Sequence, residues 1–312
     1  MEIAFFTEMN FEGKIPRTHE NMRTEFAWMT ALNATHYPIN NKIFTQQYDL
    51  GIVIIPKKNP GFDISHLKNS CKQLAVMQEG PNWNWQDYSL EHQIWYLNTL
   101  IQADIIYTHN KIDKLYYSGL VKHSDVRVLP SLMIEDAVGE LPKVERKNVM
   151  IGGNFVSWYG GVDSYMVAQE FDCDLYIPSM GRKQPGEEQL ERLNPLPYMT
   201  WKQWIHKLNE FKYGVHLMRT HAAGTFALNC SYLGIPCIGY EGLDTQEILH
   251  PDLTVKLGDL TAARKIVERL RKDEEFYVHC SQQTKELYKQ HYHENIFNTT
   301  FKKQLEISQM EL

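Results

Sequence analysis

The run Arg219-Thr220-His221-Ala222-Ala223-Gly224-Thr225 joins a short apolar segment, "YGVHLM", to an apolar helical pattern. A helix that starts here exposes unpaired N–H groups and the positive end of its dipole. Small residues let an anion approach that backbone closely, and Arg219 and His221 add donors beside it. The chemistry is that of a diphosphate site. A plain strand-to-helix turn that needs Gly224 for packing has the same local spelling, so other residues must decide between the two.

Three other stretches carry chemistry. In "FEGKIPRTHENMR" (residues 11–23), Gly13 permits close approach, and Lys14, Arg17, His19 and Arg23 suit phosphate. In "QEGPNWNWQDY" (78–88), Trp83 and Trp85 stand among amides, as stacking on a sugar or base requires. Glu79 and Asp87 in that stretch, and His109 in "THN", are of types that can take a proton. "GGNFVSWYGGVDS" could face a phosphate. It is not a GxGxxG followed by an acid at the proper distance, so a dinucleotide-dependent dehydrogenase is disfavoured.

These groups need a scaffold, and the chain supplies one. Its 312 residues suit two domains, and 43% apolar content is enough for a core in each. A formal charge of −6 excludes a generic polyanion binder but leaves room for a local basic groove. Five scattered cysteines with no CxxC suggest a reducing compartment, without disulfides or a zinc site. The N-terminus lacks the pattern of a signal peptide, and no stretch approaches the roughly 20 apolar residues of a membrane span. Strand candidates ("IAFFT", "LGIVIIP", "QLAVMQ", "DIIYT", "VRVLPS") alternate with helices. One helix is capped by Thr18; another, capped by Ser89, carries an apolar face of Leu90, Ile94, Leu97 and Ile101. A polar linker over 135–148 breaks the rhythm. The alternation then resumes with "VMIGG", "CDLYIP", a helix near 187–193, "LPYMT", a helix near 201–210 and "YGVHLM", and residues 260–312 read as helical. Two blocks of this kind mean two parallel sheets, with the site at the strands' carboxyl ends in the cleft between them.

"LNCSYLGIPCIGYEGLDTQEIL" resembles the donor-binding signature of GT-B glycosyltransferases, family four above all. Gly234, Pro236, Cys237, Ile238 and Glu247 fall in register, while His221 and Asn229 replace that family's two glutamates. The resemblance implies an α/β fold with two facing Rossmann-like domains: an acceptor side over 1–140, a nucleotide-sugar side over 141–280, and helices over 281–312 that cross back. It implies a sugar donor linked to a nucleoside diphosphate, UDP by preference, with no metal or other cofactor and no membrane. Gly224, Thr225 and Phe226 would offer N–H groups to the pyrophosphate, and His221 would contact sugar or phosphate. Asn229 would hold the ribose, Glu247 would lie near the donor, and Thr200, with Tyr198 and Met199, would frame the base. Gly13 and Lys14 would reach the donor from the other side, and Arg219, with Arg182 and Lys183, would stand in for a cationic clamp. Arg17, His19, Trp83 and Trp85 would receive the acceptor. Retention is the favoured course; inversion would call on Glu79, Asp87, His109 or His221. The compact form is similar to phage enzymes that glycosylate hydroxymethylpyrimidines in DNA, which implies host cytoplasm, a base taken out of the stack, and basic loops at 14–23 and Lys57–Lys58. A glycan or small-molecule acceptor, or a non-catalytic nucleotide-sugar-binding module, are the alternatives.

Overall fold

The computed structural model describes residues 1–310 except 43, 45, 57–60, 123, 124, 157 and 179–181, with side chains described as far as 306. The Lys57–Lys58 pair therefore lies outside the described residues. The first half runs β1 (Ile3–Thr7), α1 (Thr24–Ala31), β2 (Thr35–Pro38), β3 (Tyr48–Ile55), β4 (Cys71–Gln78), α2 (Leu90–Gln102), β5 (Ile105–Thr108), α3 (Lys111–Leu120), β6 (Val126–Val128) and α4 (Glu135–Val138). The second runs β7 (Lys147–Ile151), α5 (Gly161–Ala168), β8 (Leu175–Pro178), β9 (Leu193–Leu196), α6 (Trp201–Leu208), β10 (Phe211–His216), α7 (Thr225–Leu233), β11 (Cys237–Tyr240), α8 (Asp244–Leu249), β12 (Thr254–Val255), α9 (Leu260–Lys272), α10 (Glu274–His291) and α11 (Glu294–Met310).

The strands form two six-stranded sheets, ordered β2-β1-β3-β4-β5-β6 and β12-β11-β10-β7-β8-β9, and every neighbouring pair is parallel. Parallel strands are covered on both faces, which is why β1 and most of β3 read as unbroken apolar runs and are buried throughout. One apolar cluster passes between the halves. It holds Trp28, Met133 and Tyr107 with Trp201, Phe226 and, from α11, Phe297, Phe301 and Leu305.

Several local expectations give way. The first helix starts at Thr24 rather than after Thr18, because residues 20–21 are engaged elsewhere: Trp201 N donates to Asn21 Oδ1 and Lys202 N to Glu20 O at the start of α6. The 135–148 stretch is no simple tether; it contains α4, whose Ala137 and Val138 are fully buried. The helix expected near 187–193 is a 3-10 turn over Glu187–Gln189, and β9 begins at Leu193. Most of the apolar stripe of α2 faces outward, with Leu90 71% and Ile101 63% exposed; Leu97 packs partly on the core that Tyr96, Thr99 and Leu100 fill. There Tyr96 shares a 2.7 Å hydroxyl–hydroxyl hydrogen bond with Tyr117 of α3.

Arg17 holds the chain's ends together. Its Nε donates to Asp136 of α4 (2.5 Å), and Nη1 and Nη2 donate to the two carboxylate oxygens of Glu294 (2.9 and 2.7 Å) at the start of α11. Expected on the acceptor, Arg17 has these donors turned to two carboxylates of the same chain. A forked pair with a mostly covered partner is stronger than an ordinary surface ion pair, so Arg17→Ala should lower stability by about 1–2 kcal/mol. Urea unfolding measures it, and a loss inside the roughly 0.5 kcal/mol of ordinary surface substitutions would show the clamp to be idle.

Candidate functional site

In the second sheet the chain passes from β7 to β8 and β9 on one side, then crosses back to β10 on the other. Such a reversal opens a crevice beyond the carboxyl ends of the two strands that flank it, here β7 and β10. Residues 152–156 and 158–160 follow β7 and residues 217–224 follow β10, and each stretch ends in a glycine that begins a helix. Gly160 (φ 67°) precedes α5 and Gly224 (φ 64°) precedes α7, and neither provides a side-chain cap. By contrast Ser89, Asn110, Thr200, Asp259 and Asp273 cap α2, α3, α6, α9 and α10. Glycine is needed for the left-handed backbone and also for room. A Cβ on Gly224 would stand 2.0 Å from Thr245 Oγ1, and one on Gly160 would stand 1.9 Å from Leu217 O. The first N–H groups of α7 are thus left without a capping side chain, as an anion site requires.

Buried polar atoms without partners surround this start. Asn229 lies one turn along α7 from exposed Thr225, on the same side of the helix. Its side chain is buried. His216 Nε2 and Asn154 Nδ2 are buried with no hydrogen-bond partner among the described residues. The His216 ring lies against Gly152 and Gly153 and edge-on to Phe226, 5.3 Å between centroids. Burial pushes it down to about 4, so the ring is neutral. Leaving such groups unpaired costs about 1–3 kcal/mol each, so their gathering at one crevice points to a polar ligand. The Phe226 side chain is itself buried, so any contribution to a ligand comes from its backbone.

Charged residues around the crevice are partly committed. Arg219 donates through Nε and Nη2 to Asp163 Oδ2 (3.1 and 3.0 Å), which also accepts from Tyr240 OH. Lys183 lies 3.9 Å from Glu188, and Arg182 is exposed. His221 is half-buried over Gly242; burial lowers its pKa against the opposing pull of Glu247 and Asp244. Glu247 Oε1 accepts from Gly242 N at 2.7 Å. Thr200 is engaged in a capping box with Gln203, so its hydroxyl serves α6. Beside it Tyr198 is exposed, with the Arg23 guanidinium 5.7 Å above its ring. Gly13 exchanges two backbone hydrogen bonds with His36 and has open space where a Cβ would stand. Lys14 Nζ donates to Asn33 Oδ1.

On the other side of the cleft the two expected tryptophans part company. Trp85 is buried and stacked on Tyr96 (5.1 Å, 11° between planes), which corrects its assignment as a stacking platform for a ligand. Trp83 is half-buried and meets Trp158 of the β7 loop edge-on at 5.8 Å, so it bridges the halves beside the crevice. Asp87 is exposed at the end of the 3-10 turn Asn82–Asp87 that carries both tryptophans, and Glu79 is half-buried after β4, its N–H held by Ile55 O. His109 stacks on Trp28 at 5.7 Å. His19 accepts from Asn21 N and packs edge-on to Phe26.

The structure adds residues that sequence reasoning passed over. Asn110 caps α3 and reaches across the cleft, its Nδ2 donating to Asp113 Oδ2 (3.0 Å) and to Ala222 O (3.3 Å). Ser131 Oγ donates to Ala223 O at 2.8 Å. Asn82 Nδ2 donates to Asp113 Oδ1 at 2.8 Å. The Asn110–Asp113 spacing is a helix-start signature and was visible in the sequence; the partners across the cleft were not. Among the described residues no group of three or more His, Cys, Asp or Glu side chains is placed to hold a metal ion. None of their helices is long and apolar enough to cross a membrane.

No protein-family model matches the chain, and no curated protein matches it in sequence. Solved structures do match in three dimensions. The sucrose-phosphate synthase of Thermosynechococcus elongatus superposes with TM-score 0.66 at 12% identity, covering 100% of this chain and 98% of that one. HepE from Anabaena, solved with UDP, gives 0.66 at 10% identity, covering 98% and 100%. An alpha-glucosyltransferase solved with UDP and DNA containing an HMU base gives 0.59 at 12% identity, covering 98% of each. TarM gives 0.62 at 10% identity, with 82% of this chain matched, which spans only about half of TarM (54%). The chain has the α/β GT-B fold, two facing parallel sheets flanked by helices.

Burial pushes the Asp113 carboxyl up from 3.8 to about 7, with the charge of Asp244 adding and the Asn110 and Asn82 amides opposing. The folded chain therefore holds a proton there between about pH 4 and 7 that the unfolded chain has lost. Stability from this group is full below pH 4 and declines as pH rises to 7. Buried neutral His36, His216 and His250, each lowered to about 4, act in the opposite sense below pH 6.5. The difference between Asp113→Asn and wild type isolates the carboxyl. Urea midpoints should show the variant gaining relative stability from about pH 4 to 7 and levelling above it; a constant difference would mean that Asp113 is not held neutral.

Proposed function

We propose that the protein is a glycosyltransferase that moves a sugar from a nucleotide-diphosphate sugar, UDP-linked, to an acceptor hydroxyl. The observation that carries this reading is the uncapped start of α7, with buried Asn229 one turn along it and the unpartnered His216 Nε2 and Asn154 Nδ2 beside it. In this reading the N–H groups of Gly224, Thr225 and Phe226 take the diphosphate, Asn229 takes a ribose hydroxyl, and His221 faces sugar or phosphate. The bond from the anomeric carbon to the diphosphate breaks, and a bond to the acceptor oxygen forms. We infer retention, with a leaving-group oxygen taking the acceptor proton, and no metal, with the helix start offsetting the charge that develops on the diphosphate. Two of the similar structures were solved with UDP, which supports the choice of nucleotide.

For the acceptor, side-chain commitments favour a neutral glycan or small molecule. Residues 8–23 carry three acids (Glu8, Glu12, Glu20) against three bases (Lys14, Arg17, Arg23), and Arg17, Arg23 and Lys14 are hydrogen-bonded within the chain. Hydroxymethylpyrimidine in phage DNA is the second reading, favoured by the likeness to an enzyme solved on HMU-containing DNA.

UDP should raise the melting temperature more than uridine does, since only UDP reaches the helix start; equal shifts would remove the phosphate cradle. Asn229→Ala should weaken UDP binding by about 1–2 kcal/mol through one lost ribose bond, and an unchanged affinity would make Asn229 a packing residue. UDP binding without sugar release from any donor would mark a binding module, and loss of turnover in EDTA would overturn the metal-free course.

Trp83→Ala should lose on the order of 10- to 100-fold in acceptor affinity while keeping UDP. Loss of UDP with the acceptor retained would reverse that assignment. Acceptor binding that hardly changes with salt fits the neutral acceptor, whereas a steep fall would mark displaced counterions and favour DNA.

A further inference from the structure

Three loops that sequence separates are joined by one chain of hydrogen bonds. Asn82 stands beside Trp83 and donates to Asp113 Oδ1 (2.8 Å). Asp113 Oδ2 accepts from Asn110 Nδ2 (3.0 Å), and its backbone N–H returns to Asn110 Oδ1 (2.8 Å). The same Asn110 Nδ2 donates to Ala222 O (3.3 Å), two residues before Gly224. Ser131 Oγ holds the next carbonyl, Ala223 O, and Lys111 N reaches Asp244 Oδ2 (3.2 Å) at the start of α8. Asp113 is 2% exposed and both its oxygens are taken, so it cannot reach a substrate. Peptide planarity gives these bonds a consequence. Fixing the Ala222 carbonyl fixes the Ala223 N–H, which points the opposite way in the same plane, and fixing the Ala223 carbonyl fixes the Gly224 N–H.

We propose that Asp113 is a positioning residue that ties the loop carrying Trp83 to the backbone preceding α7, so that the two sides of the cleft keep one register. Its bearing on catalysis rests on the donor reading given above; the tie itself does not. The charged and titratable groups around it are Asp244 from α8 and Tyr117 from α3.

The test is hydrogen exchange on the full chain without ligand, at one pH, for Asn82→Ala, Asp113→Ala and Asp113→Asn. Leu228 N, which bonds to Gly224 O, and Asn229 N report the first hydrogen-bonded turn of α7. Their exchange should quicken by about tenfold in Asn82→Ala and in Asp113→Ala. It should stay near wild type in Asp113→Asn, where the new amide can donate to a flipped Asn82 while still accepting from Asn110. UDP affinity, measured by calorimetry, should fall by about tenfold in Asp113→Ala and recover in Asp113→Asn. If Asn82→Ala quickens exchange only within 82–88, the tie is overturned, even if Asp113→Ala proves unstable. If the wild type does not bind UDP, the donor reading falls, and the exchange data still decide the tie.

Discussion

A helix that begins without a cap is the constraint around which this molecule is arranged. Glycine in place of a capping side chain costs a helix a few tenths of a kcal/mol, and two such starts flank the crevice beyond β7 and β10. Nothing local offsets that cost. Gly160 and Gly224 are fixed by their left-handed backbone and by the atoms a Cβ would strike, so no serine or aspartate could take over the cap without moving Leu217 or Thr245. Stability must come from elsewhere: the capped helices around the rim, the apolar cluster common to both sheets, and the Arg17 clamp.

The same constraint explains the direction of the contacts across the cleft. Asn110 and Ser131, from the first half, do not touch the free N–H groups of α7; they hold the carbonyls just before them. A donor side chain placed on a carbonyl orders the turn while leaving the amides for an anion. Trp83 and Trp158 meet at the rim of the same cleft, so it is joined both by polar bonds and by aromatic contact.

Much of this was legible in the sequence, for identifiable reasons. Parallel strands covered on both faces must be apolar along their length, so β1, β3, β4, β7 and β10 announce themselves. The helix start at Gly224 could be read from the spacing, while Asn229 was singled out by the resemblance to the GT-B donor signature. What the sequence could not show was any partner distant in the chain. Arg17 and Lys14 stood out by charge alone, without the Glu294, Asp136 and Asn33 that the fold sets beside them. Trp85 read as a platform because one aromatic in a polar loop looks like the next; only the fold shows Tyr96 beneath it. Periodicity showed that α2 has an apolar stripe and could not say that Tyr96 and Leu100, across the helix, are the residues that face the sheet.

The last helix also sets an order of events. Phe301 lies stacked on Tyr107 of β5, Gln304 reaches the carbonyl of Val128 in β6, and Glu294 meets Arg17. During synthesis the first sheet emerges before the second, yet these partners are the last to appear. Until they do, apolar side chains such as Tyr107 and Leu129 lack part of their cover. The amino-terminal half must wait, incompletely closed, through the making of the whole carboxyl-terminal sheet. Its closure waits on α11, and through that interval the uncovered apolar surface is open to aggregation.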